Sequence, residues 1–214
     1  MRRAILWGCV LVFSLIATLP ANASGILLTF SGLKDTEPVE NFYNGGTGGF
    51  GSTKGLNFGI TFSSNTLAIK SFLLGGSGNF ARTPSGTPAI FFASSNGVMN
   101  SSSGFTSGVQ FYYVAGATAT VTVLDGTGKI LASVTLSSNA GGSCGATYCT
   151  WSSVSIPFVG TAKSVVFSGS PNKLGISDIT VGSSLTALPE PSSLALFGTG
   201  IVGLFGGLRR QIRW

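Results

Sequence analysis

Between residues 25 and 181 the chain falls into ten short runs in which apolar and polar residues alternate, or β-branched and aromatic residues crowd together. They cover 25–30, 56–62, 67–74, 89–93, 108–114, 117–124, 129–136, 150–158, 162–167 and 174–181. A two-residue period sends successive side chains to opposite faces of a strand, so each run can bury one face and wet the other. No stretch of the body shows the spacing of an amphipathic helix. Turn residues punctuate the runs: Asp125-Gly126-Thr127-Gly128 between two strands reads as a hairpin turn, and Asn44-Gly45-Gly46 breaks the chain before residue 56. No repeat of 20 to 50 residues organises the body, which disfavours solenoids and propellers. The pattern therefore predicts an all-β domain over residues 24–187, built as an antiparallel β-sandwich of jelly-roll type.

The ends are of different composition. Arg2 and Arg3, an apolar run over 4–19, Pro20 and the small-residue site Ala21-Asn22-Ala23 follow the plan of a secretory signal peptide. Export through the Sec translocon and cleavage by signal peptidase after Ala23 are the expectation. Cys9 lies too close to Arg3 for a lipoprotein signal, because no apolar core fits between them. At the other end, Leu188-Pro189-Glu190-Pro191 precedes an apolar stretch over 194–208 and then Arg209, Arg210 and Arg213. A helix over 192–208 would be about 25 Å long, enough to span a bilayer that thins slightly, with the arginines on the cytoplasmic side.

These three parts in that order, covering residues 188–214, resemble the PEP-CTERM sorting signal of Gram-negative bacteria, a tail also labelled as an ice-binding protein C-terminal domain. The resemblance implies recognition by an exosortase, processing near Pro189-Glu190-Pro191, a transient inner-membrane anchor, and delivery to the cell surface or extracellular matrix. Such tails accompany exopolysaccharide production and biofilm material. Residues 27–33, 37–46 and 56–62 resemble the N-terminal part common among PEP-CTERM exported proteins. Residues 164–167 and 175–181 resemble the closing strands of galactose-binding-like jelly rolls, in which an Asp precedes the last apolar pair, as Asp178 does here.

Charge narrows the function. The formal net charge is +6, but five of the twelve basic residues belong to the two ends. Seven basic residues remain in the body against five acidic ones, spread singly rather than in a stripe, so nucleic acid is not an expected partner. The chain contains no His, which removes the imidazole base of Ser and Cys triads and the usual zinc ligands. Glycoside hydrolysis needs only two carboxylates, and Glu37 and Glu40 are the candidates for it. The same residues, with Asp35, Asn41 and Asn44, could hold a structural calcium ion if the first and last strands bring Asp178 to them; no other cofactor is expected.

Cys144 and Cys149, the two cysteines of the body, are expected to pair and close a surface loop. Thr118, Thr120 and Thr122 form one row of alternating threonines, fewer than an ice-matching face needs, and read as solvent-facing strand residues. Tyr43, Tyr148 and Trp151 lie beside Gly- or Cys-bounded loops and are the candidates for stacking on sugar rings. The leading expectation is a non-enzymatic surface or matrix protein that binds polysaccharide. A structural, self-associating envelope or biofilm protein comes next, and a carbohydrate-active enzyme last.

Overall fold

A computed structural model describes residues 25–94 and 96–182. The signal site at Ala21 and Ala23, the motif Pro189-Glu190-Pro191 and the proposed helix over 192–208 lie outside the described residues. Eleven strands make up the fold: β1 (Ile26–Leu28), β2 (Ile60–Phe62), β3 (Thr66–Ile69), β4 (Ala89–Phe92), β5 (Asn96–Phe105), β6 (Gly108–Ala115), β7 (Ala119–Leu124), β8 (Ile130–Leu136), β9 (Ser152–Pro157), β10 (Ala162–Ser168) and β11 (Leu174–Val181). They form two antiparallel sheets packed face to face. One runs β3-β4-β11-β6-β9, with β1 also paired to β11; the other runs β2-β5-β10-β7-β8. The last two strands take the central places of opposite sheets, so both layers close only when the end of the domain arrives. The arrangement is a jelly-roll-like sandwich.

Alternation explains the layering. On β7, Ala119, Val121 and Val123 point inward while Thr120, Thr122 and Leu124 point out; on β10, Val165 and Phe167 are inward and Ser164, Val166 and Ser168 outward. The inward rows meet in one core, where Phe167 stacks on Phe92 at 5.4 Å and meets Phe111 edge-on at 5.8 Å, bridging the sheets. β1 lies beside the end of β11 in the register Ile26↔Val181, so residues 25–182 close on themselves through their first and last strands.

One strand is added to the expected runs and one run is corrected. The longest strand, β5, has the sequence Asn-Gly-Val-Met-Asn-Ser-Ser-Ser-Gly-Phe and lies outside the ten runs read from the sequence. It is a strand because β2 and β10 offer it hydrogen-bonding edges on both sides, which outweighs its weak intrinsic preference. The run 67–74 does not continue as one strand. β3 ends at Ile69, and Phe72–Leu74 form a 3₁₀ turn in which the Ser71 hydroxyl caps the amide of Leu73.

Candidate binding cleft

The register of the larger sheet lines up Leu67 with Phe91, Phe91 with Gly175, and Gly175 with Val114 on the face turned away from the core. Such an outward apolar row must be covered, and two loops cover it, residues 70–82 and 139–151. Val114 and Phe80 are buried yet stand apart from the core between the sheets, which marks a second, smaller apolar centre under these loops. Between loops and sheet lies a cleft of about 240 Å³, lined among others by Ile69, Phe80, Phe91, Tyr148, Asn172 and Lys173, with Gly175 in its floor. A Cβ on Gly175 would stand 2.9 Å from Val114 Cγ2, so only glycine leaves the floor open at this point of the row.

The loops are held to each other rather than merely close. Ala81 N donates to Tyr148 O (2.8 Å), Tyr148 N to Asn79 O (3.3 Å), and Thr147 N to Asn79 Oδ1 (3.0 Å), while Asn79 Nδ2 donates to Thr147 Oγ1 (2.6 Å). A disulfide joins Cys144 to Cys149, with Cα atoms 5.6 Å apart, and Cys149 N donates to Gly141 O. Tyr148 is therefore fixed in the wall before any ligand arrives. Polar groups at the rim are Ser77, Asn172 and Lys173.

Of the three aromatics singled out in the sequence, the structure puts one in the cleft. Tyr148 lines it. Trp151 is half-buried behind it, meeting Phe80 edge-on at 5.4 Å and donating from Nε1 to Ala81 O at 3.3 Å, so it buttresses the loop. Tyr43 is a correction: it is 5% exposed, its ring packs edge-on to Phe30 and Phe42, and its hydroxyl accepts from Phe30 N at 2.6 Å. Burial pushes the Tyr43 hydroxyl well above the usual tyrosine range, keeping it neutral. Its glycine-rich surroundings suggested a surface loop, but Phe30, held at φ 59°, presents an amide that the buried hydroxyl satisfies.

The acidic residues are not gathered either. Glu37 is 0% exposed, and its carboxylate accepts from the amides of Lys34 (2.7 Å), Phe50 (3.0 Å) and Ser52 (3.0 Å). Burial pushes its carboxyl up, but these N–H groups outweigh that and hold it below the usual range. Gly48 makes the cradle possible, since a Cβ there would stand 2.6 Å from Glu37 Oε1. Glu40 is half-buried at φ 42°. Asp178 occupies a bulge of β11 at φ 52°, where Oδ2 accepts from Ser85 N and Ser177 Oγ and Oδ1 has no partner. Among the described residues no three His, Cys, Asp or Glu side chains come together, so Glu37, Glu40 and Asp178 are not gathered into one cluster. Glu37 is equally sealed from any substrate, which removes it as a hydrolytic carboxylate.

Sequence reasoning missed Phe91, Gly175, Asn172 and Lys173. The signal for Phe91 was present: Ala-Ile-Phe-Phe in β4 is apolar on both faces, as only a strand covered on both sides is.

Residues 187–210 carry a PEP-CTERM protein-sorting motif. It marks the chain as an exported protein with a C-terminal sorting signal. The PEP-CTERM motif starts five residues past Gly182, at the end of β11 that pairs with β1, whereas the cleft sits at the start of β11, on Gly175. No curated protein matches the chain. Among solved structures, it is similar to a cellobiose complex of the module CsCBM6-3 from Clostridium stercorarium (16% identity, 58% of this chain and 87% of that one, TM-score 0.37). It is also similar to a family 29 carbohydrate-binding module (10%, 80% and 99%, TM-score 0.41). A third is a family 43 arabinoxylan arabinofuranohydrolase from Bacillus subtilis (14%, 57% and 26%, TM-score 0.38).

Proposed function

We propose that this exported PEP-CTERM protein is a non-enzymatic saccharide-binding protein, and that the cleft between the loops 70–82 and 139–151 is its binding site. The observation that carries this reading is Tyr148, an aromatic ring held in the wall of a preformed cleft by its own backbone, a disulfide and the Asn79–Thr147 pair. Sugar rings offer an apolar face and a rim of hydroxyls, and the cleft offers the complement. Phe91, Val114 and Tyr148 supply apolar surface, and Ser77, Asn172 and Lys173 supply donors and acceptors at the rim. Its volume suits a sugar ring with the rest of a chain lying outside. Preformed walls lower the ordering cost of binding a flexible ligand.

The sorting motif supports processing by an exosortase near Pro189-Glu190-Pro191 that leaves the sandwich at the cell surface or in the matrix, and the signal-like residues 1–23 are the basis for export through the Sec translocon and cleavage by signal peptidase. The test is calorimetric titration of residues 24–187 with a panel of soluble polysaccharides. At least one should bind, and Tyr148→Ala should weaken it at least tenfold, about 1.4 kcal/mol. Failure of every polysaccharide to bind, or binding indifferent to Tyr148→Ala, would remove this assignment.

A further inference from the structure

A second depression, of about 360 Å³, opens on the other side of the loop 70–78. Its lining includes Leu33, Lys34, Lys70, Leu74, Thr87 and Pro88. Cleft and groove are separated only by the ridge this loop makes: Ile69, Ser77 and Asn79 face the cleft, Lys70 and Leu74 the groove. Along the ridge the 3₁₀ turn exposes three apolar side chains in succession, Phe72 (38%), Leu73 (47%) and Leu74 (38%). The ridge is braced rather than loose. Asp35 accepts from the amide of Lys70 (2.7 Å) through one oxygen and from the amide of Ser77 (2.9 Å) through the other, pinning both feet of the loop.

The carboxylates around the groove are engaged with the backbone. Asp35 and Glu37 are turned onto backbone amides, Glu37 being fully buried, and Asp178 accepts from the amide of Ser85, which precedes the lining residues Gly86, Thr87 and Pro88. Lys34 and Lys70 belong to the lining. Lys34 Nζ donates to Phe50 O at 2.7 Å, which fixes its direction and uses one of its three donors. Beyond the ridge, the cleft's one charged lining residue is again basic, Lys173. A neutral glycan would leave this arrangement without a partner, while a carboxylate entering the groove would meet lysine donors in charge-assisted hydrogen bonds.

We propose that the groove is a second subsite, taking the carboxylate of an acidic polysaccharide whose chain runs from the Tyr148 cleft over Phe72–Leu74 to Lys34 and Lys70. The proposal rests on the reading of the cleft as a saccharide site and adds the class of saccharide. The geometry favours uronate-containing polymers over neutral ones, through short-range contact that added salt weakens.

The test uses the full-length protein in detergent with polygalacturonate, alginate and hyaluronan, each compared with its carboxyl-reduced, neutral form. At low salt at least one acidic polymer should bind tenfold or more tightly than its neutral form, and the ratio should shrink as salt is raised. In Lys34→Gln/Lys70→Gln the ratio should fall to about one while the melting midpoint stays unchanged. Equal binding of acidic and neutral forms, with sensitivity to Tyr148→Ala, would overturn the acidic subsite and leave the cleft assignment standing. A ratio that survives in the double variant would also overturn it. If no polymer binds in either form, both assignments fall together.

Discussion

The two sheets share one core but differ on the faces turned away from it. On the five-stranded sheet the outward rows are mostly small and polar: Thr61, Asn100 and Ser164 in one, Thr120 and Thr135 in another, and Thr122 hydrogen-bonded to Ser133 at 3.3 Å. On the six-stranded sheet the corresponding row is Leu67, Phe91, Gly175 and Val114, and it lies beneath two loops locked together by backbone bonds and a disulfide. The first face is finished by water. The second is finished by protein, and where that cover stops short over Gly175 a cleft remains. A cleft of this kind follows from an apolar outer row, which obliges the chain to build loops over it.

The comparison breaks most severely if the sheets turn out not to share a core. Phe167→Ala, which removes the ring joining Phe92 to Phe111, should cost about 3–5 kcal/mol and lower the stability of both sheets in one cooperative urea transition. Two separated transitions would mean the layers are energetically independent.

A smaller effect is expected at Glu37, which organises the loop beneath the groove on the six-stranded side. Glu37→Gln should cost about 1.5–3 kcal/mol at neutral pH, because charge-assisted bonds to three amides become neutral ones. The folded carboxyl titrates below its unfolded value of about 4.3, so its contribution is complete above that pH. It fades as pH falls through the lower, folded value. The wild-type melting midpoint should therefore drop on acidification toward pH 3 by more than that of Glu37→Gln. Identical pH profiles would show that the carboxylate is not held as described.

Opening the disulfide sharpens the contrast locally. Its ring spans few residues, so Cys144→Ser/Cys149→Ser should cost at most about 2 kcal/mol overall. Amide exchange should quicken at Thr147, Tyr148 and Cys149 while Val121 and Val165 on the other sheet keep their protection. Uniform acceleration would show the loop to be part of the global unit. Least of all, Thr122→Val on the five-stranded face should change stability by no more than about 0.5 kcal/mol and leave saccharide titrations unaltered. A loss of binding there would move the site to the other sheet.

Much of the fold was legible because alternation is a local signal. Each of the ten runs overlaps a strand, and the sandwich follows from having many amphipathic strands and no helix to cover them. The strand β5 was illegible for the opposite reason: its Ser- and Asn-rich sequence has little preference of its own, and partners distant in the chain make it a strand. The same distinction applies to the aromatics. Tyr148 could be picked out from its neighbour Cys149, which ties down the loop, but nothing local to Tyr43 shows that its hydroxyl finds the amide of Phe30.

By itself, then, the sequence determined the all-β class, the turn at Asp125-Gly126-Thr127-Gly128, the exclusion of His chemistry and the sorting motif at the chain end, all properties written in contiguous residues. Tertiary structure decided the rest. Cross-strand register set Gly175 between Phe91 and Val114, long-range amide bonds drew Asp35 and Glu37 inward, and loop packing put Tyr148 over the cleft while leaving Trp151 behind it. These depend on which distant segments meet, and a carboxylate or ring free in an isolated peptide takes its role only when such a partner arrives.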